Sequence, residues 1–374
     1  MEKIGIFGGT FDPVHNEHIK LARLAIQKLN LDRLIVVPTF MPPHKDAVPT
    51  EGVKRLEMLR LAFQNQEKVE ISDYEIKKGG KSYTFETVEH FKNLYNCELF
   101  FLVGGDMLSD FKTWKNPQRI LSACTLCAFG RQGFYGNTEK EREYFKNTFS
   151  KDFIRLEYEG ENVSSTKIRV YSSFGLDINP YVGNAVSQYI KDHNLYQADE
   201  YVEFVKKTLT FKRLLHTANV VVTALKKAKE LKLSADKVRI SATLHDCAKY
   251  LSVKDFKSVN IPSDVPEPVV HAFLGAFVAE KVLGVDDPEI IDAIRYHTSG
   301  KPDMTTLGKL IFVADMIEEG RSYQGVDELR ELYKGDFNAC FLECLKEEFI
   351  HLQNKGQEIY GETLKAYNYY NKKI

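Results

Sequence analysis

The stretch KIGIFGGTFDPVHNEHIKLARLAIQKL, residues 3–29, sets the architecture of the first half of the chain. A short apolar run typical of a buried strand leads through two glycines into a segment whose apolar residues recur at helical spacing. Further short apolar runs alternate with helical periods, and the predicted strands cover 3–7, 33–37, 69–71, 98–103, 125–129 and 153–157. One of the helices between them is predicted over 51–63, with Thr50 as its N-cap. The alternation predicts an α/β domain with a Rossmann-like, open parallel sheet covered on both faces.

From about residue 200 the strand signal ends and helical periodicity takes over. Asp287-Pro288 places an N-cap before a proline at the first helical position, and Gly284 closes the preceding helix. One apolar stripe runs through Val221, Leu225, Ala228 and Leu231. Another, on the helix that Gly284 closes, runs through Leu274, Phe277, Val278 and Leu283. Since 374 residues exceed what one core usually serves, we expect an α/β domain over 1–196 and an all-α helical bundle over 200–374.

The composition favours small anionic ligands over polymers. The 51 Lys and Arg almost balance the 52 Asp and Glu, so no global field draws the chain to nucleic acid or to an anionic membrane. No apolar run approaches the roughly 18 residues that span a bilayer, and no leader precedes the first strand, so we expect a cytoplasmic location. Of the six cysteines only Cys124 and Cys127 have metal-like spacing, and they fall in a buried strand pattern; we expect reduced thiols. The sequence leaves self-association into a homo-oligomer open.

Gly8, Gly9 and Thr10 follow the first strand, and His15 and His18 open the helix after it. Glycines allow close backbone approach to a phosphate, and the N–H groups at a helix start attract it. Histidines three apart share a helical face, so both imidazoles can stabilise a phosphoryl transition state. A dinucleotide-binding turn is the alternative, but the glycine spacing does not give GxGxxG. Surface histidines without a role would be credible for His15 alone.

This segment resembles the HxGH nucleotidyltransferase superfamily, and the nicotinate-nucleotide adenylyltransferases in particular. The similarity covers residues 1 to about 196. It also rests on PPHK (42–45), SYTFET (82–87), GGDMLSDFKTW (104–114), SSTKIR (164–169) and PYVGNAVSQYIKDHNLY (180–196). The resemblance implies transfer of AMP from ATP to nicotinate mononucleotide, which gives deamido-NAD and pyrophosphate. Another mononucleotide acceptor, such as the amide form, is the alternative.

The resemblance also implies residue roles. ATP would lie over Gly8, Gly9, Thr10, Phe11, His15, His18, Ser165 and Thr166. We assign the histidines to the developing charge, Lys45 and Arg169 to the polyphosphate, and Mg²⁺ to the β and γ oxygens. The nicotinate nucleotide would be held by Thr84 and Trp114, and Asp106 would also bind substrate. Glu17 departs from the pattern, which has glycine between the histidines. Turned outward it leaves the site intact; turned inward it weakens ATP binding.

A second constellation lies in the helical half: His216, His245, Asp246, His271, His297 and Asp315. A carboxylate and an imidazole are costly in apolar helical segments without partners, and metal ions are suitable partners. Five of the six are predicted inside helices, with His297 at a helix end. Any one histidine is more often a hydrogen-bonded core residue, but the set indicates metal binding. Adjacent helical residues diverge by about 100°, so Asp246 could bridge two ions while His245 binds one.

This half resembles the HD-domain phosphohydrolases, most closely the bacterial symmetrical diadenosine tetraphosphate hydrolases. The matching stretches are RLLHT (213–217), LHDCAKY (244–250), HAFLGA (271–276), RYHTSG (295–300) and VADMIEEGR (313–321). The resemblance implies one ion on His216, His245, Asp246 and Asp315, another on Asp246, His271 and His297, and release of two ADP from diadenosine tetraphosphate.

Iron or manganese suits this mixed ligand set better than magnesium. Arg213, Lys249 and Arg321 are candidates to bind the polyphosphate. The alternatives are another nucleotide substrate, or a nucleotide-sensing module that regulates the transferase. For the final forty residues the sequence predicts no chemistry.

Overall fold

The computed structural model describes residues 1–41, 49–131, 138–158, 160–161, 163–356 and 359–372. The chain divides into two compact units. The first unit comprises Met1–Arg169 and Asp177–Leu195, and the second comprises Val170–Leu176 and Tyr196–Ile374. None of the helices in these described stretches combines the length and the apolar character needed to cross a membrane.

The first unit is built on a six-stranded parallel sheet, as predicted. The strands are β1 (Glu2–Gly9), β2 (Arg33–Pro38), β3 (Val69–Ile71), β4 (Cys97–Gly104), β5 (Thr125–Arg131) and β6 (Ile154–Tyr158). Their order in the sheet is β3-β2-β1-β4-β5-β6. β1 therefore pairs with β2 on one side and β4 on the other, and the direction of winding reverses between β1 and β4. Ligands of such sheets bind outside the carboxyl ends of the strands at this reversal, which is where the residues after Gly9 begin.

Helices cover the sheet on both faces. They are α1 (Asn16–Leu29), α2 (Gly52–Phe63), α3 (Tyr74–Lys78), α4 (Thr84–Leu94), α5 (Asp106–Asp110), α6 (Pro117–Ala123), α7 (Thr138–Phe149), α8 (Ser165–Ser173), α9 (Asn179–Val182) and α10 (Asn184–Asp192). The predicted face of α1 is correct, since Ala22, Ala25 and Leu29 are buried.

Two local predictions in this unit are wrong. Thr50 does not cap α2, because the helix begins at Gly52 and the cap position is Glu51; the Thr50 backbone N–H group donates to Asp12 instead. Cys124 is the C-cap of α6 rather than a strand residue, because β5 begins at Thr125. All six cysteines are buried and free of disulfides.

The second unit is all-α in its described residues, as predicted. Its helices are α11 (Glu200–Thr208), α12 (Phe211–Ala228), α13 (Ala235–Leu244), α14 (Glu267–Phe277), α15 (Pro288–Arg295), α16 (Thr306–Ile317), α17 (Val326–Gly335), α18 (Phe337–Asn354) and α19 (Gly361–Asn371). Asp287 caps α15 by accepting from the Glu289 N–H group at 2.9 Å, and Gly284 has the left-handed φ of +69° expected at a helix stop. Buried side chains of α12, α13, α15 and α16 form the core into which the polar cluster is set.

Candidate active sites

The loop after β1 is shaped by an aromatic ring lying on a glycine. Phe11 has a positive φ of +49°, and its ring covers Gly9 so closely that a Cβ atom there would lie 2.9 Å from the ring. The same ring packs edge-on against His18, with 4.9 Å between the centroids. Gly9 is therefore needed at this position, and the loop is held against the first turn of α1.

His15 and His18 lie stacked at the start of α1, with 3.7 Å between ring centroids. The His15 N–H group donates to Nδ1 of His18 at 3.2 Å, so the proton of the neutral His18 ring is on Nε2. Burial lowers the pKa of His15 to about 4, and burial together with His15 lowers the pKa of His18 well below its usual value. Both rings are therefore neutral at pH 7, and they can stabilise developing charge by donating hydrogen bonds rather than as fixed cations.

The first turns of α8 brace this loop. Ser165 donates to the Pro13 carbonyl at 2.9 Å, and Arg169 donates to the Asp12 carbonyl at 2.7 Å and to Thr166 Oγ1 at 3.3 Å. An arginine has five N–H donors, so part of the Arg169 guanidinium is available to a ligand. The structure thus brings Ser165, Thr166 and Arg169 to the loop that carries the histidines.

Glu17 takes neither of the two predicted orientations. It is only 4 % exposed, and its Oε2 atom accepts from the Glu161 N–H group at 3.1 Å. Its other oxygen lies 2.8 Å from Nζ of Lys20, which offsets the negative charge. The carboxylate that replaces the glycine of the pattern is therefore anchored to the segment before α8.

Two of the residues predicted to bind substrate, Asp106 and Trp114, follow β4 in the chain, and Thr84 lies on the helix before it. Trp114 is half-buried, and its ring packs against Phe101 and Phe111 at centroid distances of 6.4 and 5.2 Å. Thr84 is the first residue of α4 and is half-buried, and Asp106 begins α5. Lys45 lies outside the described residues, as does the side chain of Asp106.

Arg55 is a structural residue that the sequence analysis missed. Its side chain is 1 % exposed and donates to three carbonyl oxygens, of Thr50 at 2.7 Å, Thr10 at 2.8 Å and Phe40 at 3.2 Å. A buried cation requires such compensation, so Arg55 fixes the loops that follow β1 and β2 relative to each other. The signal was present, because Arg55 stands three and four residues before the buried Met58 and Leu59 of α2.

In the second unit, all six predicted side chains converge. His216, His271 and Asp315 lie within α12, α14 and α16. The prediction that five of the six lie inside helices is wrong, because α13 ends at Leu244 and His245 and Asp246 lie in the turn after it. In that turn the Cys247 N–H group bonds to the Leu244 carbonyl and the Lys249 N–H group to the Asp246 carbonyl. His297 follows the end of α15, as predicted.

Asp246 lies at the centre of this cluster. Its Oδ1 atom is 3.0 Å from Nε2 of His271 and 3.6 Å from Nε2 of His297. Its Oδ2 atom is 3.6 Å from Nε2 of His245 and 3.9 Å from Nε2 of His216, which also lies 3.0 Å from Asp315 Oδ1. Three overlapping groups therefore have ligand atoms spaced for a metal ion: His216, His245 and Asp246; His245, His297 and Asp315; and Asp246, His271 and His297.

Three of the histidines are held in the tautomer that metal binding requires. The Nδ1 atoms of His245 and His297 each lie 2.7 Å from a carbonyl of the helix that precedes them, at Ala242 of α13 and Ile294 of α15. Nδ1 of His216 lies 3.1 Å from the buried carboxylate of Glu318, which the sequence analysis also missed. Each Nδ1 thus donates outward and leaves Nε2 as the free acceptor, the usual arrangement behind a metal-bound histidine.

The cluster fits divalent cations electrostatically as well. Among the described residues the Nε2 atom of the fully buried His245 has no hydrogen-bond partner. Burial opposes the Asp246 carboxylate, but His245, His271 and His297 outweigh it and keep the pKa of Asp246 well below its usual range. In this buried site, the His245 nitrogen has no hydrogen-bond donor to pair with and lies beside the ionised Asp246 carboxylate. Such a pair of groups suits coordination of a divalent metal ion.

The three predicted cations surround this cluster. Arg213 donates to Asp246 Oδ2 at 2.7 Å, and Arg321 donates to the Asp315 carbonyl at 2.8 Å. Nζ of Lys249 lies 3.2 Å from Nε2 of His271 and 3.8 Å from Asp246 Oδ1. A polyphosphate bound at the cluster would therefore meet positive charge as well as metal ligands.

A cavity of about 450 Å³ opens beside the cluster. His297 and Asp315 belong both to the cluster and to the wall of the cavity. Helix α18 contributes Glu347, Glu348 and His351 to the same wall. The sequence analysis assigned no chemistry to this part of the chain, so these three are missed candidates. Their only signal was the spacing of polar residues along one turn of an otherwise amphipathic helix.

Comparison with known proteins identifies two domain families. Residues 6–170 match the Cytidylyltransferase-like family and residues 213–320 match the HD domain family. A Clostridium tetani protein named as a nicotinate-nucleotide adenylyltransferase is 40 % identical over 201 residues, which cover 53 % of this chain and 100 % of the relative.

A Mycoplasma genitalium protein named as a nicotinate-nucleotide adenylyltransferase/Ap4A hydrolase is 29 % identical over 360 residues, covering 92 % of this chain and 97 % of the relative. Among solved structures, a Clostridium acetobutylicum protein described as an HD superfamily hydrolase involved in NAD metabolism is 30 % identical. It covers 47 % of this chain and 97 % of its own, with a TM-score of 0.43.

Proposed function

Because this chain belongs to the nicotinate-nucleotide adenylyltransferase family and also carries an HD domain, we propose that it is a bifunctional enzyme. Residues 1–196 transfer AMP from ATP to nicotinate mononucleotide, giving deamido-NAD and pyrophosphate. Residues 200–374 hydrolyse diadenosine tetraphosphate to two ADP. The observation that carries the second activity is the convergence of six ligand side chains into one cluster, with Asp246 at its centre, in the same chain as the loop and histidine pair. The Mycoplasma relative, which is aligned across both parts, bears a name that joins the two activities.

The transferase reaction needs no protein nucleophile. The phosphate of the mononucleotide attacks the α-phosphorus of ATP in line, and pyrophosphate leaves with the electron pair of the broken bond. The neutral rings of His15 and His18 donate hydrogen bonds to the developing charge, while Lys45 and Arg169 bind the polyphosphate. Mg²⁺ arrives with ATP as part of the substrate complex. Gly8, Gly9, Thr10, Phe11, Ser165 and Thr166 shape the ATP-binding surface.

The acceptor would bind near Thr84, Asp106 and Trp114. Trp114 supplies an aromatic ring suited to stacking on a pyridine, and it is already supported by Phe101 and Phe111 on the core side. A competition between the acid and the amide mononucleotide tests this assignment. We expect the acid to be used preferentially; equal use of the two would contradict it.

In the second unit, His216, His245, Asp246 and Asp315 would hold one divalent ion, and Asp246, His271 and His297 the other. When bound, such a pair supplies Lewis-acid stabilisation of phosphoryl charge and activation of water. Iron or manganese suits the mixed imidazole and carboxylate donors. Asp246 is shared by the two groups of ligands. Glu318 and the helix carbonyls hold the imidazoles in the correct tautomer. Arg213, Lys249 and Arg321 bind the polyphosphate.

Two assays on the full chain test the proposal. Pyrophosphate release from ATP and nicotinate mononucleotide measures the first activity, and ADP release from diadenosine tetraphosphate by protein loaded with iron or manganese measures the second. We expect both activities in one preparation. Dinucleotide binding without any ADP release would instead favour a helical half that senses nucleotides and regulates the transferase; release of other products from a nucleotide panel would reassign the substrate.

A further inference from the structure

The cavity beside the cluster has the size of a small-molecule site. Its volume of about 450 Å³ lies within the range of about 300–1,000 Å³ typical of such pockets. It is lined by residues of α16 and α18 together with the segment between α16 and α17. Because His297 and Asp315 belong to the wall, a molecule bound in the cavity lies directly against the cluster.

The lining differs in charge between the cluster side and the α18 side. Arg321 bonds to Asp315 on the cluster side. On the α18 side, neither the Glu347 nor the Glu348 carboxylate forms a hydrogen bond or ion pair within the described part of the chain. Carboxylates repel phosphate and accept hydrogen bonds but do not donate them. The cluster side therefore suits phosphate, and the α18 side suits a neutral group that donates hydrogen bonds.

The carboxylate acceptors on the α18 side of the cavity favour a ribose as their partner. Glu347 and Glu348 both line the cavity as acceptors without a partner among the described residues, and the 2′ and 3′ hydroxyls of a ribose supply two donors. The edge of adenine is a poorer match, since its N6 donor stands beside the N7 acceptor. Phe312, Met316 and Tyr323 add apolar and aromatic surface to the wall, which suits a base.

We propose that this cavity binds one nucleoside of the dinucleotide substrate, with the ribose hydroxyls donating to Glu347 and Glu348 and the base lying against the aromatic wall. This assignment rests on the proposed hydrolase function. A cavity that holds half of the dinucleotide leaves the phosphate chain over the cluster, which is the placement that cleavage into two ADP requires.

The test measures binding by full-length protein loaded with manganese. Titration calorimetry gives the affinities for ADP and for inorganic triphosphate. We expect Glu347→Ala and Glu348→Ala each to weaken ADP binding about tenfold, since a hydrogen bond to a charged acceptor is lost. Triphosphate binding and metal content should stay as in the unaltered protein. Glu347→Gln and Glu348→Gln, which keep one acceptor oxygen, should weaken ADP binding less.

Glu343→Ala is the matched control, because Glu343 lies on the same helix, pairs with Lys346 and does not line the cavity. It should leave ADP affinity unchanged. The ribose contact is tested with 2′-deoxy-ADP: the unaltered protein should prefer ADP, and the alanine variant of the residue that accepts from the 2′ hydroxyl should lose that preference.

Equal affinity of the unaltered protein for ADP and 2′-deoxy-ADP would overturn the inference, as would alanine variants that bind ADP normally or that weaken ADP and triphosphate alike. The two proposals fail separately, because binding is measured without turnover. If the protein binds ADP with the expected preferences but releases none from diadenosine tetraphosphate, the hydrolase assignment fails. If it hydrolyses the dinucleotide while the variants bind ADP normally, the cavity assignment fails.

Discussion

His15 of the first unit and Asp246 of the second are buried polar groups, and His18 is half-buried beside His15, but their surroundings act on them in opposite directions. Burial lowers the pKa of both histidines, and they remain neutral. Burial opposes the Asp246 carboxylate too, yet three histidines hold the pKa of Asp246 well below its usual range, so it remains charged. A site with neutral donors receives its cation with the substrate, whereas a site with an ionised buried carboxylate is built to hold cations itself. The charge state of the groups in each site therefore indicates whether the cation arrives with the substrate or is held by the protein.

The strongest test of this comparison is Asp246→Asn. The change removes the charge that both donor groups share, so we expect hydrolase activity to fall on the order of a thousandfold or more, together with loss of bound metal. Metal analysis and ADP release measure these effects, and transferase activity in the same sample should be unchanged. Asp236→Asn, on the exposed first turn of α13, is the matched control. An Asp246→Asn protein that kept its metal and its activity would remove the basis of the contrast.

The converse test is His18→Ala. Loss of a neutral donor aimed at developing charge should lower the transferase kcat by about 10²–10³-fold and leave hydrolysis of the dinucleotide unchanged. Pyrophosphate release measures the effect, with His193→Ala, an exposed histidine of the same unit, as the control. A fall in ATP affinity with unchanged kcat would instead mean that the imidazole acts in binding and not in the transition state.

The two units also differ in how far their sites could be predicted from the sequence. The six metal-ligand candidates were predictable, because histidines and aspartates in apolar helical segments need partners and metals supply them. The strands were predictable because each is a short apolar run between turns. The position of His245 and Asp246 past the end of α13 was not, since the turn depends on tertiary packing that helical periodicity does not encode.

Residues that act through others were the hardest to predict. The spacing of Arg55 to Met58 and Leu59 indicated that it is buried, but only the folded chain shows that it bonds three loop carbonyls. Likewise only the folded chain shows that Glu318 bonds Nδ1 of His216. Glu347 and Glu348 lie on a helix whose pattern is that of any amphipathic segment. The periodicity of apolar residues predicts which face of a helix is buried. It does not predict which other helix or loop contacts the polar residues at the border of that face.

Glu318→Gln tests a residue that supports a metal ligand of the second unit and does not bind the metal itself. Replacing the carboxylate behind Nδ1 of His216 with an amide lowers the basicity of the imidazole, so we expect metal affinity to fall about 10–100-fold. Hydrolysis should decline at limiting metal and recover when metal is added in excess. Glu328→Gln, on the exposed side of α17, is the matched control and should titrate as the unaltered protein. Activity that stays low at saturating metal would place Glu318 in the chemical step and not behind a ligand.

The smallest effect concerns the pH dependence of the first unit. The pKa of His15 is about 4 in the folded state, below the ordinary value of about 6.5 for a histidine in an unfolded chain, so the unfolded chain binds more protons between these values. The free energy of unfolding should therefore be highest above about pH 6.5 and should fall as the pH drops toward 4, with His15 accounting for about 1 kcal/mol of the loss at about pH 5.5.

Trp114 is the only tryptophan and lies in the first unit, so its fluorescence reports denaturant unfolding of that unit. His15→Asn should reduce the slope between about pH 7.5 and 5.5 and leave the part that His18 contributes, while His193→Asn should leave the slope unchanged. A slope in His15→Asn as steep as that of the unaltered protein would mean that His15 is already charged in the folded protein, and the contrast between neutral donors in one unit and ionised ligands in the other would no longer hold.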